Sequence, residues 1–200
     1  MKPYLSGIIA VALAAVIAMS TLAGCRQSQP SDIGAITPIE TPPPTSAEAP
    51  APSVPVQEGE RAPDFRLVKA GGGEVSLSDY RGKILVLDFW ATNCGACVAE
   101  LPAYQALYDR WDHNQVEYLG LSLDSSIKVV EGFLQRKGFT LPMALLDEQT
   151  RVAYLGQGVV QIPQARVIDA SGVVAAVLPP AQSSPEKVAA VVEQLLARSG

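Results

Sequence analysis

Residues 84–90, Ile-Leu-Val-Leu-Asp-Phe-Trp, run apolar with a single interruption and pass directly into Ala91-Thr92-Asn93-Cys94-Gly95-Ala96-Cys97. A nearly continuous apolar run of this length, Ile84–Ala91, reads as a strand buried on both faces of a sheet. Beyond Cys94 the apolar positions Leu101, Tyr104, Tyr108 and Trp111 recur at helical spacing, so a helix begins at the cysteines. Pro102 lies inside that helix and is expected to kink it. A doubly buried strand feeding a helix needs covering layers above and below, which restricts the chain to α/β architectures.

The remaining pattern agrees. Strands are expected at Val116–Leu123 and Met143–Leu146, and helices near Ser126–Lys137 and Gln149–Leu155, the former carrying Ile127, Val130, Phe133 and Leu134 on one face and closed by Gly138. Ala165–Asp169 and Val173–Leu178 flank Ala170-Ser171-Gly172 and read as a hairpin. Ser184-Pro185-Glu186 opens a last helix with Val188, Val192 and Leu195 facing inward. Strands alternating with helices, ending in a hairpin, give a central mixed sheet flanked by helices.

The N-terminal quarter has a different character. After Lys2 comes a twelve-residue apolar run, Ile8 to Met19, a length that suits a secretory signal and is short for a membrane span. An uncleaved anchor is the competing reading. Leu22-Ala23-Gly24-Cys25 looks like the lipobox of bacterial lipoproteins, which would make Cys25 a lipidated N-terminus. Acyl chains contribute roughly 0.8 kcal/mol per buried methylene, so several hold a protein firmly on a membrane. Arg26 to Val56 carries 8 of the 16 prolines and no aromatic residue, a composition unable to bury enough surface to offset chain entropy. The expected organisation is a signal over 1–24, Cys25 and an extended tether over 25–56, and one folded domain over 57–200.

A net charge of −5 with scattered Lys and Arg carries no nucleic-acid footprint. With Cys25 lipidated, two of the three cysteines remain, both in one C-x-x-C. An exported chain with a single dithiol is no disulfide-stapled scaffold, so the pair is there for chemistry. Three chemistries can use it: a metal site, a peroxide-reducing thiol, or a dithiol cycling through a disulfide. Structural zinc needs four ligands, and besides this pair there are only the distant Cys25 and the sole histidine, His113, which reads as a solvated surface residue. A non-catalytic copper-binding lipoprotein and a peroxidase stay open.

"FWATNCGAC", preceded by "GERAPDFRL" and "SLSDYRGK" and followed by "IPQARVIDASG", resembles the TlpA/ResA-like thiol–disulfide oxidoreductases, bacterial membrane-tethered members of the thioredoxin superfamily. The resemblance covers nearly all of residues 57–197. It implies a thioredoxin-like fold with the extra αβ insertion of the TlpA-like group and a redox disulfide between Cys94 and Cys97. It implies reduction of protein disulfides, with apocytochrome c as a suggested substrate, a membrane dithiol as electron donor, and no cofactor. Trp90, Ile162 and Pro163 are implied to meet the substrate, Pro163 through a cis peptide bond of the kind almost confined to proline. Export to the periplasmic or extracytoplasmic side follows from the lipobox-like motif.

The residues support that chemistry independently. A thiol reacts as its thiolate, and an ordinary cysteine pKa of about 8.5 falls at helix N-termini, where Cys94 would sit. Cys94 is then the nucleophile and Cys97, one turn further in, the resolving thiol. Asp88 is a carboxylate inside a buried run, and burial raises its pKa toward neutrality, suiting it to move a proton for Cys97. Glu100, three residues after Cys97, matches a family Glu beside the active site. In a peroxiredoxin, which shares the "APDF" opening, a Thr stands three residues before the reactive Cys; here Thr92 stands two before. Asn93 and Ala96 occupy the positions of a thioredoxin's Trp and Pro. Ala96 restores a backbone N–H, which is expected to point at the Cys94 sulfur.

Overall fold

The computed structural model describes residues 54–199, all within the compact unit spanning 48–200. The segments expected to form the signal and most of the tether, with Cys25 between them, lie outside the described residues. Among the described residues no helix is long and apolar enough to cross a membrane. Folded structure reaches further toward the N-terminus than the composition suggests. Val56, read above as tether, is 4% exposed, and its N–H donates to Ala153 O at 2.9 Å. A single apolar residue among prolines carries no periodicity, so nothing in the sequence marks it as core.

The elements follow in the order β1 (Arg66–Val68), β2 (Glu74–Ser76), β3 (Ile84–Trp90), α1 (Gly95–Tyr108), β4 (Val116–Ser122), α2 (Ile127–Lys137), β5 (Met143–Leu145), α3 (Glu148–Leu155), β6 (Gln164–Ile168), β7 (Val174–Leu178) and α4 (Pro185–Ser199). The main sheet has the order β5-β4-β3-β6-β7. β3, β4 and β5 are parallel, whereas β6 pairs antiparallel with β3 and β7 pairs antiparallel with β6. This is the thioredoxin-like arrangement, a βαβ unit followed by a ββα unit. The connecting segment carries an additional αβ pair, its strand β5 lying beside β4 at the sheet edge.

β3 holds the fold together because both its faces are covered. All seven of its residues are buried. Side chains alternate across a strand. Ile84, Val86 and Trp90 therefore pack with Leu101 and Tyr104 of α1, Val130 and Phe133 of α2, and Val188 and Val192 of α4. Leu85, Leu87 and Phe89 pack on the opposite side with Phe65, Leu67, Ala153 and Tyr154. Asp88 shares the even-numbered parity, so it faces the α1 side.

Local signals place the helices much as read. Gly138 sits at φ 74°, and its N–H returns to Leu134 O at 2.8 Å, closing α2. Asp147 caps α3 by accepting from Thr150 N–H at 2.7 Å. α1 runs through Pro102 without interruption, the ring removing only the N–H that would have reached Val98 O. Trp111 falls in the turn after α1 and still packs on the core. The β1–β2 hairpin escapes sequence reading: its strands are three residues each, and Gly71, Gly72 and Gly73, all at positive φ, make the turn.

One glycine in the sheet is sterically required. A Cβ on Gly120 of β4 would lie 3.1 Å from Trp90 Nε1 and collide with Met143 Sδ, both side chains fully buried. Gly120→Ala is therefore expected to destabilise the protein by about 1–3 kcal/mol, read from the denaturant midpoint at unchanged m-value.

Candidate active site

The parallel strands β3 and β4 end at the same edge of the sheet, and antiparallel β6 begins there, with Phe89 opposite Gln164. Loops leaving β3 and β4 and the segment entering β6 therefore converge, as binding groups do at the carboxyl ends of parallel strands. The β3–α1 loop is held by the loop after β4. Thr92 donates from its N–H to Asp124 Oδ2 at 3.0 Å and from its hydroxyl to Asp124 Oδ1 at 2.6 Å, while Ser122 Oγ donates to Asp124 Oδ2 at 2.6 Å. Sequence reasoning missed Asp124. Its only signal is a carboxylate just past a strand end.

Cys94 is the N-cap of α1, and Cys97 lies one turn in. Their sulfurs are joined in a disulfide with Cα atoms 5.3 Å apart. Cys94 remains partly exposed, whereas Cys97 is 2% exposed. An N-cap side chain accepts from the second or third helical N–H. Here the donor is Cys97 N–H, 3.2 Å from Cys94 Sγ. The expectation for Ala96 is thereby corrected. Ala96 occupies the second helical position and Cys97 the third, and it is the third amide that reaches the sulfur. Together with the unpaired first-turn amides and the helix dipole, this contact favours negative charge on Cys94 once the disulfide opens.

The Ile162–Pro163 peptide is cis. It carries Ile162 O to 3.9 Å from Cys94 Sγ, a contact without a proton in the oxidised state. Pro163 is buried and Ile162 partly exposed. Both stand before Gln164, the first β6 residue paired with β3, so Ile162's own N–H and C=O take no part in that ladder.

Asp88 of β3 and Glu100 of α1 lie near enough for the charge of Glu100 to act on Asp88. Asp88 is 2% exposed; Tyr118 Oη donates to its Oδ2 at 2.8 Å, while Oδ1 has no partner. Burial pushes the Asp88 carboxyl up to about 7, opposed by the Tyr118 bond and reinforced by the nearby Glu100 charge. Glu100 is itself pushed up, first by burial and then by Glu186, and its Oε2 is buried without a partner. A carboxyl raised to about 7 and a second one displaced upward by burial thus share the α1 side of the sheet. Tyr118 gave no sequence signal, since the register that sets it beside Asp88 belongs to the β3–β4 pairing.

Two further residues fall elsewhere. Trp90, expected to meet substrate, is 0% exposed and packs against Phe133 at 5.4 Å between ring centres. An aromatic next to the motif reads as a contact residue, but strand parity turns it inward beneath α2, and that assignment is corrected. His113 lies on the surface beside Tyr108 and 3.6 Å from Glu117. Among the described residues no group of three His, Cys, Asp or Glu is placed to hold a metal ion.

Comparison with known proteins fits this geometry. Residues 58–177 match the model of the AhpC/TSA family. The chain is 39% identical over 119 residues to the thiol-disulfide oxidoreductase ResA of Geobacillus thermodenitrificans, covering 58% of this chain and 66% of that protein. It is 33% identical over 121 residues to the thioredoxin-like protein YneN of Bacillus subtilis, covering 60% of this chain and 69% of the relative. The match thus spans about two thirds of these relatives' own length. Among solved structures, a thiol:disulfide interchange protein of the thioredoxin family from Chlorobium tepidum superposes with a TM-score of 0.61 at 25% identity, covering 70% of this chain and 98% of that one. A DsbF homologue from Corynebacterium diphtheriae gives 0.59 at 26% identity, covering 71% and 92%.

Proposed function

Because the chain belongs to the AhpC/TSA family over residues 58–177, we propose that it is a thiol–disulfide oxidoreductase acting on protein disulfides outside the cytoplasm. The observation that carries this reading is the Cys94–Cys97 disulfide at the α1 N-terminus, one sulfur partly open and the other buried, on the same side of the sheet as a buried carboxyl raised to about 7. The printed names of its relatives, thiol-disulfide oxidoreductase and thiol:disulfide interchange protein, point the same way.

In the reduced enzyme the Cys94 thiolate attacks one sulfur of a substrate disulfide. A Cys94–substrate disulfide forms, the substrate S–S bond breaks, and the first substrate thiolate leaves. Asp88, with Glu100 behind it, takes the proton of the Cys97 thiol. The Cys97 thiolate attacks Cys94 Sγ, closing the intramolecular disulfide and expelling the second substrate thiolate, so two electrons pass from the dithiol to the substrate. The unladdered N–H and C=O of Ile162 offer a polypeptide a short strand-like pairing beside the sulfur under attack. A dithiol donor restores the cycle by the reverse exchange.

The finer reading makes the protein a lipoprotein held through Cys25 on a bacterial membrane, facing the periplasmic or extracytoplasmic space, with the Pro-rich tether spacing the domain from the bilayer. It supports a reductive role on protein disulfides such as one in apocytochrome c, giving the free thiols, with electrons from a membrane dithiol carrier. The lipobox-like Leu22-Ala23-Gly24-Cys25 and the resemblance to membrane-tethered relatives support this assignment. A peroxidase is less well served, because the Thr92 hydroxyl is spent on Asp124 Oδ1 rather than offered to Cys94. The test is capture. Full-length Cys97→Ser protein expressed in a bacterial host is expected to accumulate in the membrane fraction, covalently linked through Cys94 to envelope proteins that a thiol reductant releases. Absence of every such adduct, with peroxide consumption retained, would overturn the reading.

A further inference from the structure

One buried hydroxyl is tied to the cis-proline segment and to the dithiol helix at once. Ser183, in the link between β7 and α4, is 0% exposed. Its Oγ donates to Pro163 O at 3.1 Å, with Pro180 O a longer alternative at 3.4 Å. Its own carbonyl accepts from Tyr104 Oη at 2.9 Å, and Tyr104 is a fully buried residue of α1, on the same face as Cys97 and Leu101. A buried hydroxyl is costly unless bonded, and this one is spent on the carbonyl next to the reactive peptide. The same helix touches that peptide from the other side, where Cys94 Sγ lies 3.9 Å from Ile162 O. α1 therefore meets the Ile162–Pro163 arm at two points, by the 3.9 Å contact of its N-cap sulfur and, seven residues beyond Cys97, by the hydrogen bonds through Tyr104 and Ser183.

We propose that Ser183, backed by Tyr104, is a positioning residue that sets the Ile162–Pro163 arm at the spacing from Cys94 that a polypeptide disulfide needs. The inference rests on the thiol–disulfide reading. It assigns to the β7–α4 link, remote in sequence from the C-x-x-C, a part in choosing protein over small-molecule disulfides. A small disulfide needs only the sulfur. A protein disulfide also needs the arm.

The experiment compares insulin and oxidised glutathione as substrates of the full-length protein, with dithiothreitol regenerating the dithiol and its uncatalysed reduction subtracted, in the wild type, Ser183→Ala, Ser183→Thr and Tyr104→Phe. Losing one buried hydrogen bond is expected to raise the KM of Ser183→Ala for insulin about three- to tenfold, with kcat within about twofold. Reduction of oxidised glutathione and the equilibrium with the glutathione couple are expected to stay at wild-type values. Ser183→Thr, which keeps the hydroxyl, is expected to restore the insulin KM, and Tyr104→Phe to raise it in the same direction. An unchanged insulin KM in Ser183→Ala overturns the proposal, as do equal losses on insulin and glutathione, which mark a merely structural role. If Ser183→Ala shows no cooperative melt, Tyr104→Phe decides alone, and a wild-type insulin KM there overturns the proposal. Wild-type protein that reduces neither substrate would instead reject the thiol–disulfide reading itself.

Discussion

Cys94→Ser is expected to lower disulfide exchange at least about 1,000-fold, because an alcohol at the same position is almost wholly protonated at neutral pH and is a poor nucleophile toward sulfur. The substitution is structurally mild. Cys94 is the N-cap of α1, a position where serine is among the preferred residues, so the helix keeps its cap. The proper reference for stability is reduced wild-type protein, in which the Cys94–Cys97 bond is also absent. Cys97→Ser should behave differently, completing the attack and stalling as a mixed disulfide. Insulin reduction followed by turbidity, with the adduct counted by mass, separates the two. Turnover by Cys94→Ser above about 1% of wild type would remove this cysteine from the nucleophile's place.

Asp88→Asn is expected to slow release of the mixed disulfide about 100-fold at pH 7, since a carboxyl titrating at about 7 is matched to accepting the Cys97 proton and an amide is not. The amide keeps an oxygen for the Tyr118 hydroxyl, so the packing is preserved. The same substitution makes a stability prediction of definite sign. The carboxyl stands at about 7 when folded, against an ordinary value of 3.8. Its stabilising contribution is fully present below the unfolded value and is lost as pH rises through the folded value. Asp88→Asn should therefore gain a few kcal/mol over wild type at pH 8, at roughly 1.4 kcal/mol per pH unit of displacement, and nearly nothing at pH 3. Slower exchange combined with higher stability at pH 8 marks a buried carboxyl kept for its chemistry. A variant less stable than wild type at pH 8 would show Asp88 to be a structural anchor instead.

Much of this is legible in the chain. β3 is readable because it is buried on both faces and so lacks polar alternation, and the helices because their apolar residues recur with helical period. Cys94, Cys97 and Asp88 are readable because ten consecutive residues contain them all. Their partners are a different matter. Tyr118 meets Asp88 through the register of two parallel strands, and Ser183 meets Pro163 across the whole β6–β7 hairpin. No local pattern encodes such pairings. Trp90 failed for a related reason: an unbroken apolar run does not reveal which side chains face α1 and α2. Ala96 was misjudged although the sequence held the answer, since counting helix positions from an N-cap at Cys94 reaches Cys97 as the third amide.

Alkylation of the reduced protein by iodoacetamide at about pH 6.5, where an ordinary thiol is only about 1% ionised, tests most directly whether the amino end of α1 activates one sulfur and shields the other. Peptide mapping should find Cys94 modified at least about tenfold faster than free glutathione, with Cys97 unmodified until the protein is denatured. Cys94 reacting no faster than glutathione, or both cysteines reacting equally in the folded protein, would contradict the account.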